Sequence, residues 1–265
     1  MTERQSKIDL DAVLRLFTEL RDHIGERVHR QHEMGDTLYS FVLLRLFGYS
    51  FNTFKAIGHL LPDGFYEQAF ALYRMLWEAG IGLEWISRDP EARSHQYAGF
   101  TVVEYQRFLR RRPQIGVSLK EDEESIRMHE ERLKFFQQFM ARQLERFSSE
   151  DKKGKMRQWG RIFGNKNVEE LSKEIGGEWA EDYELEYASS SGYAHAAPGA
   201  VLFPIHDPDA SIARQQDVER SAMVGVKSIA VMIRTFDKWA TYQGSNEREY
   251  LAGVLDRLAE TGTGN

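Results

Sequence analysis

Cysteine is absent from the 265 residues of this sequence. Disulfide bonds, thiolate zinc sites and a cysteine nucleophile are therefore excluded. Familiar nucleotide-binding loops are also missing, because neither G-x-x-x-x-G-K-S/T nor G-x-G-x-x-G occurs. No G-x-S-x-G sequence follows a predicted strand, which argues against a Ser-His-acid hydrolase.

Long apolar runs are equally scarce. A membrane-spanning helix needs about 18 apolar residues in succession, and the nearest stretch, LYSFVLLRLFGYSF, carries Arg45 at its centre. The first residues, MTERQSKIDLDAV, lack the apolar core of a signal peptide. We therefore expect a soluble, cytoplasmic protein with no membrane partner.

An excess of charge of one sign is missing as well, since 41 acidic and 35 basic side chains give a net charge of -6. This balance argues against a protein that coats nucleic acid over its whole surface, although it allows a local basic site. What the sequence does contain is 42% hydrophobic residues, which is enough for a buried core.

Hydrophobic residues recur at three- and four-residue steps through most of the chain, which is typical of helices. One such stripe follows the first predicted helix, with Val13, Leu16, Phe17, Leu20 and Ile24. Turn and capping signals divide the pattern into helical segments at about 8–34, 37–61, 65–86, 89–112, 118–147, 167–176, from 178, 211–242 and from 246. The sequence predicts an all-α fold, a single bundle of seven or eight mostly antiparallel helices. We expect one domain over 1–265, with a core at 35–240, a basic loop at 148–166 and a non-helical connection at 195–210.

Arg74 and Glu78 stand four residues apart in a predicted helix that is otherwise mostly apolar. Burying two charges costs several kcal/mol each unless they are paired and hydrogen-bonded. Two interpretations remain open. The residues form a structural ion pair, or they line a polar cavity in which a perturbed Glu78 acts as acid or base.

A second unusual stretch is YASSSGYAHAAPGAVLFP, in which small residues surround His195. Low side-chain bulk lets another backbone or a ligand approach closely. A histidine here can act as general acid or base, or it can be a core residue bonded to a carboxylate such as Glu78. We expect His195 to reach the bundle centre near Arg74 and Glu78, with Tyr193 beside it and Ser191 as a further polar candidate.

The stretch DKKGKMRQWGRIFGNKN combines basic and aromatic residues. Basic side chains neutralise phosphates and aromatic rings stack on unpaired bases, so this stretch is a candidate contact for single-stranded RNA. Its alternative is a solvated loop whose aromatic residues dock on the core. The candidate RNA-binding residues are Lys152, Lys153, Lys155, Arg157, Trp159 and Arg161.

The sequence supports a metal site less strongly than it supports the candidate sites described above. A di-iron bundle needs two Glu-x-x-His pairs and two further glutamates, whereas this sequence has only the pair Glu26 and His29. Glu91 and His95, four residues apart, have another usable spacing. A solvated charged helix explains Glu26 and His29 more simply, and we expect no cofactor.

Two blocks, FALYRMLWEAGIGLEWISRDPEARSHQY and YASSSGYAH, together resemble a family of bacterial proteins of unassigned function. That family carries an Arg-x-x-x-Glu helix, then Asp-Pro-x-x-Arg-x-x-x-Tyr, and later a Ser/Tyr/His element. The resemblance covers about residues 35–240, implies an all-helical fold and supplies no activity. The residues that it marks are Arg74, Glu78, Asp89, Arg93, Tyr97, Tyr193 and His195.

A more distant similarity is to the bacterial HEPN helical bundles, whose signature is Arg, four to six residues, then His. The stretch RVHRQH, from Arg27 to His32, has that spacing. It departs from the pattern because Val28 replaces a usual polar residue and because it lies in the first helix. The similarity implies a metal-independent ribonuclease of the toxin or phage-defence type.

Three functional hypotheses follow. The first is such a ribonuclease, with His195, Glu78, Arg74 and Tyr193 as catalytic candidates and with Arg74 or Arg27 stabilising the phosphate charge. The second is a non-catalytic helical module that binds a partner protein or a ligand, with a homodimer as one form. The third is a carboxylate/His metal-binding bundle.

Overall fold

A computed structural model describes residues 8–30, 35–111, 166–187 and 218–262, with a few helical positions between 127 and 134. Helices account for nearly all of these residues, and no β-strand occurs among them. The helices pack against one another as an all-α bundle, which confirms the predicted fold class. None of the helices in these ranges combines the length and apolarity that a bilayer crossing requires.

The bounds of the described helices agree with the predicted segments to within a few residues, except that the predicted segment at 118–147 lies mostly outside the described residues, as does the predicted start at 211. The helices are α1 (Leu10–Arg30), α2 (Leu38–Leu60), α3 (Tyr66–Ser87), α4 (Pro90–Arg111), α5 (Val168–Ile175), α6 (Glu178–Asp182), α7 (Val218–Tyr242) and α8 (Arg248–Gly262). One difference follows α6, where the chain continues as a π-helical turn, Tyr183–Tyr187, which we call the π-turn. The connection at 195–210, and the basic loop at 148–166 apart from Lys166, lie outside the described residues.

The helix ends follow from local chemistry. At the start of α5, the side chains of Asn167 and Glu170 each accept a hydrogen bond from the other's backbone N–H, as the sequence predicts. Thr37 and Ser40 form the same reciprocal arrangement before α2. Gly244, in the turn that follows α7, has a φ of 71°, a conformation that favours glycine.

Helix α2 runs antiparallel to α7. Near one end of the pair, Tyr39 packs edge-on against Tyr242, with ring centroids 5.3 Å apart. Further along, the ring of Phe47 stacks on Trp239 at 5.0 Å. The predicted stripe of α1 is buried, and three α8 side chains, Leu251, Val254 and Leu258, are buried too. Helices outside 35–240 therefore contribute to the core.

Helix α3 runs parallel to α7, and Gly80 lets the two helices approach closely. A Cβ atom at Gly80 would lie 2.8 Å from Thr235 Oγ1 and 2.8 Å from the ring of Trp179. Because no side chain fills this position, α3, α6 and α7 meet at one point. Three pairs fix the register of α3 on α7: Tyr66 with Arg220, Gly80 with Thr235, and Glu84 with Lys238.

Candidate functional site

The candidate site is a cluster of three polar side chains, Arg74 and Glu78 from α3 and Tyr187 from the π-turn. Arg74 Nε donates to Glu78 Oε1 at 2.9 Å, and Arg74 Nη2 donates to the Tyr187 hydroxyl at 2.9 Å. The Tyr187 hydroxyl in turn donates to Glu78 Oε1 at 2.5 Å. The ion pair that the Arg74–Glu78 spacing allows is therefore present, with a third partner. We call these three residues the Arg74 cluster.

The Arg74 cluster is open to solvent on one side. The side chain of Glu78 is 33% exposed and that of Arg74 is 19% exposed, whereas Tyr187 is buried. Burial and the hydrogen bond to Glu78 raise the pKa of the Tyr187 hydroxyl well above its usual range. Tyr187 is therefore a neutral hydrogen-bonding group at neutral pH, and the charges of the cluster are those of Arg74 and Glu78.

Aromatic rings hold Tyr187 in place. Its ring lies 4.8 Å from that of Trp77, centroid to centroid, and stacks on Tyr183 at 5.1 Å. The guanidinium carbon of Arg74 lies 4.7 Å from the centroid of Tyr187. The π-turn places Tyr183 and Tyr187 side by side, so that the hydroxyl of Tyr187 reaches α3. Single π-turns inside helices are frequent at functional sites.

A second set of charges lies beside the cluster, between α6 and α7. Arg234 of α7 pairs with Asp182 and lies 3.3 Å from Glu178, and its guanidinium stacks 4.3 Å from the Trp179 ring centroid. Lys227, two turns earlier on α7, is half-buried. Burial lowers the pKa of the Lys227 ammonium, and the charge of Asp182 opposes that shift.

Several predicted site residues cannot be placed against the Arg74 cluster. Ser191, Tyr193 and His195 lie outside the described residues. The same holds for the basic and aromatic candidates Lys152, Lys153, Lys155, Arg157, Trp159 and Arg161. The approach of His195 to Arg74 and Glu78 therefore stays a prediction.

Arg93 and Tyr97, which the family resemblance marks, occupy a different place. Arg93 donates to the carbonyl of Trp85 at 2.8 Å and lies 3.3 Å from Glu174 of α5, with its guanidinium 4.8 Å from the Trp85 ring centroid. Tyr97 packs against the hydrophobic core. These contacts give Arg93 a role in joining α3, α4 and α5, rather than a place in the Arg74 cluster.

Among the described residues, the structure adds no third metal ligand to either candidate pair. Glu26 with His29, and Glu91 with His95, all lie in the part of the chain that the structure describes. Within that part, no group of three or more His, Asp or Glu side chains is arranged to hold a metal ion.

A buried acid cluster, which the sequence did not indicate, joins α1 to the turn before α8. Glu247 is 3% exposed and accepts hydrogen bonds from His23 Nε2 at 2.9 Å and from Ser245 Oγ at 2.6 Å, and its Oε1 forms an ion pair with Arg27 Nε at 3.0 Å. The imidazole of His23 stacks on Tyr250 at 3.7 Å. Arg27, a candidate phosphate ligand by its spacing to His32, is thus held by a carboxylate in the described part of the chain.

Sequence reasoning also missed Tyr187 as a member of the Arg74 cluster. Tyr187 opens the small-residue stretch, yet nothing in its neighbourhood indicates a contact with α3. Its partner Glu78 is 109 residues away. A weak signal was the order of Arg74 before Glu78, which is the less favourable orientation for a surface pair and suggests a partner elsewhere.

Comparison with known proteins supports the resemblance to a family of unassigned function, and it gives no activity, substrate or partner. A family described as of unknown function, DUF5677, matches residues 40–210 of the chain. This range contains the Arg74 cluster, the basic stretch and His195. No curated protein and no solved structure matches the chain, and similarity to HEPN bundles is not found. Since the match covers more than half of the sequence, the chain belongs to the DUF5677 family of unknown function.

Proposed function

We propose that this protein is a metal-independent ribonuclease whose phosphate-binding centre is the Arg74 cluster. The proposal rests on the composition of the Arg74 cluster. A guanidinium, a carboxylate and a phenol hydroxyl lie within hydrogen-bonding distance of one another. Glu78, one-third exposed, keeps this arrangement accessible to a substrate.

The proposed reaction needs no metal ion. The 2′-hydroxyl of a ribose attacks the adjacent phosphorus while a base takes its proton. The bond to the 5′-oxygen breaks as an acid protonates that oxygen, which leaves a 2′,3′-cyclic phosphate and a 5′-hydroxyl. Arg74 would stabilise the negative charge on the phosphoryl oxygens, and Glu78 and Tyr187 would hold its guanidinium in position.

His195 is the proposed acid or base of this reaction. Tyr187 is anchored at Arg74 only eight residues before His195. An extended chain of that length spans at most about 28 Å, which limits how far His195 can lie from the cluster. The basic aromatic stretch at 151–167 would hold single-stranded RNA, because bases stack on aromatic rings only when they are unpaired.

The biological role is proposed from the HEPN resemblance alone. It would place such an enzyme among ribonucleases of the toxin or phage-defence type.

Cleavage of labelled single-stranded RNA in the presence of EDTA tests the proposal. We expect cleavage by the wild type and at least about a hundredfold loss in His195→Ala, the lower end of a general acid–base contribution. The matched control is His59→Ala, an exposed histidine of α2, which should cleave normally. Equal cleavage by His195→Ala and His59→Ala, or no cleavage by the wild type, would overturn the proposal.

A non-catalytic binding module is the alternative, and one observation favours it. Phe41 and Tyr49, eight residues apart on α2, are 54% and 45% exposed. Aromatic side chains in such positions are frequent at protein interfaces. Dimerisation or partner binding that is lost in a Phe41→Ala, Tyr49→Ala double variant, without turnover of RNA, would favour this alternative.

A further inference from the structure

We infer that Tyr49 of α2 and Met75 of α3 form a platform on which an unpaired nucleobase stacks, next to the Arg74 cluster. We call these two residues the base platform. The inference deepens the proposed function and rests on it, because the base belongs to the RNA whose phosphate the Arg74 cluster would bind. It gives a role to two exposed side chains that lie outside that cluster.

The first step is the register of α2 on α3. The two helices are joined by the short turn at 61–65. At their other ends, the hydroxyl oxygens of Tyr39 and Ser87 lie 3.2 Å apart, so α2 and α3 run antiparallel. Ten residues of α2 beyond Tyr39 bring Tyr49 to the level of Glu78 on α3, because both helices have the same rise per residue.

The electrostatics of Tyr49 agree with this register. Burial, and after it the negative charge of Glu78, raises the pKa of the Tyr49 hydroxyl above its usual range. Because electrostatic interactions weaken with distance, this effect requires the two side chains to lie near each other. The hydroxyl of Tyr49 is neutral at neutral pH, so the ring brings no charge that would repel a phosphate.

The second step is the position of Met75. Arg74 and Met75 precede Glu78 by four and three residues, so they lie one helical turn from it and on its two flanks. The π-turn occupies the flank of Arg74, since the Tyr187 hydroxyl bonds to both Arg74 and Glu78. Tyr49 therefore approaches Glu78 from the other flank, where Met75 lies.

The third step is the exposure of the two side chains. Tyr49 is 45% exposed and Met75 is 41% exposed. By contrast, the ring of Phe47, two residues before Tyr49, is buried and stacks on Trp239. An exposed ring beside an exposed thioether thus forms an apolar surface at the edge of a charged cluster. Nucleobases stack on aromatic and apolar side chains of this kind.

A nucleotide fits this surface better than a protein partner does. The centres of protein interfaces are depleted of charged residues, whereas the base platform adjoins the ion pair of Arg74 and Glu78. A nucleotide combines an apolar base with an anionic phosphate. One ligand would therefore place its base on Tyr49 and Met75 and its phosphate at Arg74.

The test is binding of a short 2′-O-methylated oligouridylate, which cannot be cleaved, and of the same oligomer without its bases. Tyr49→Leu should weaken binding of the oligouridylate about fivefold or more, the lower end of what stacking on one aromatic side chain contributes. Binding of the base-free oligomer should not change, because its phosphate contacts remain. Tyr49→Phe keeps the ring and should bind both oligomers as the wild type does.

Phe65→Leu is the matched control. Phe65 is also an exposed ring, at 52%, but it stands ten residues before Met75, which is about 15 Å along the axis of α3. This variant should bind both oligomers as the wild type does. Circular dichroism verifies that each variant is folded.

The outcomes separate this inference from the proposed function. Equal binding of the oligouridylate by the wild type, Tyr49→Leu and Phe65→Leu would overturn the base platform even if the wild type cleaves RNA. Equal weakening with and without bases would overturn it too, because Tyr49 would then act through the fold. Weaker binding of the oligouridylate alone, in a protein that cleaves no RNA, would keep the platform and overturn the ribonuclease.

Two further results would also overturn the base platform. One is a wild-type protein that does not bind the oligouridylate. The other is a Tyr49→Leu variant that loses dimerisation while its binding of the oligouridylate is unchanged, which would assign Tyr49 to a protein interface instead.

Discussion

The hydroxyl of Tyr187 donates a hydrogen bond to Oε1 of Glu78, a residue 109 positions earlier in the chain. The same oxygen accepts from Arg74 Nε. One carboxylate oxygen thus joins the middle of α3 to the end of the π-turn. The bond fixes the point from which the chain continues towards His195.

Replacing Tyr187 with phenylalanine should lower the free energy of unfolding by about 1 to 2 kcal/mol, because Arg74 loses an acceptor and Glu78 loses a donor. Urea denaturation measures the change. The matched control is Tyr183→Phe, which keeps the stacked ring of the π-turn and leaves the Arg74 cluster intact. Equal losses for both variants would show that the hydroxyl of Tyr187 contributes no more than its neighbour's.

Gly80→Ala should destabilise the protein by about 1 to 3 kcal/mol, the usual cost of overpacking a core. Its new Cβ would lie 2.8 Å from both Thr235 Oγ1 and Trp179, so α3, α6 and α7 would have to separate. Gly48→Ala is the control, since Gly48 lies within α2 with nothing within 4 Å of such a Cβ. That variant should gain up to about 1 kcal/mol from helix propensity. Opposite signs in thermal unfolding would confirm the close approach.

Glu247 should make stability depend on acid pH. Burial alone would raise the pKa of Glu247, but the hydrogen bonds from Ser245 and His23 and the charge of Arg27 outweigh it and leave the pKa below its usual range. A carboxyl with a depressed folded-state pKa stabilises the fold above its unfolded pKa, and that contribution is lost as the pH falls through the lowered value.

Denaturation between about pH 6 and pH 3 measures this contribution. Glu247→Gln should flatten the decline of stability over that interval, besides lowering stability at neutral pH by about 1 to 3 kcal/mol, because it weakens the hydrogen bond from His23 and removes the ion pair with Arg27. Glu249→Gln, an exposed neighbour on α8, is the control and should keep the wild-type pH profile. A wild-type profile in Glu247→Gln would contradict the prediction.

Arg257→Ala should cost less than about 1 kcal/mol although its ion pair with Glu19 is bidentate. Its Nη1 and Nη2 lie 2.8 and 2.7 Å from the Glu19 oxygens, but the two side chains are 46% and 42% exposed. Salt should weaken the effect further. Arg27→Ala should cost more, because it deprives the buried Glu247 of a partner. Thermal unfolding at low and high salt compares the two, and a larger loss in Arg257→Ala would contradict this ranking.

The helices could be predicted from the sequence because their signals are local. Apolar spacing marks the buried face of α1, and the Asn167–Glu170 pair marks the start of α5. The Arg74–Glu78 pair is local as well, since both residues lie one turn apart on a single helix. Such patterns determine their structure within a few residues, and they were the successful part of the prediction.

Contacts between distant segments could not be predicted in this way. Nothing near Tyr187 encodes its contact with Glu78, and the π-turn that directs it has no signature in residue type. Arg27 was a candidate for stabilising a phosphate because of its spacing to His32. Its partner in the fold is Glu247, which lies near the other end of the sequence. The family resemblance likewise placed Arg93 among the site candidates, whereas its contacts with Trp85 and Glu174 connect α3, α4 and α5.

The contact between Tyr187 and Arg74 depends on the number of residues in the π-turn as well as on their types. A π-helical turn closes over one residue more than an α-helical turn. Deleting one residue between Tyr183 and Tyr187 would let α6 continue as ordinary helix and would turn Tyr187 away from Arg74, with every side chain of the cluster retained. An insertion or deletion at this turn would thus change the composition of the Arg74 cluster without any substitution in α3.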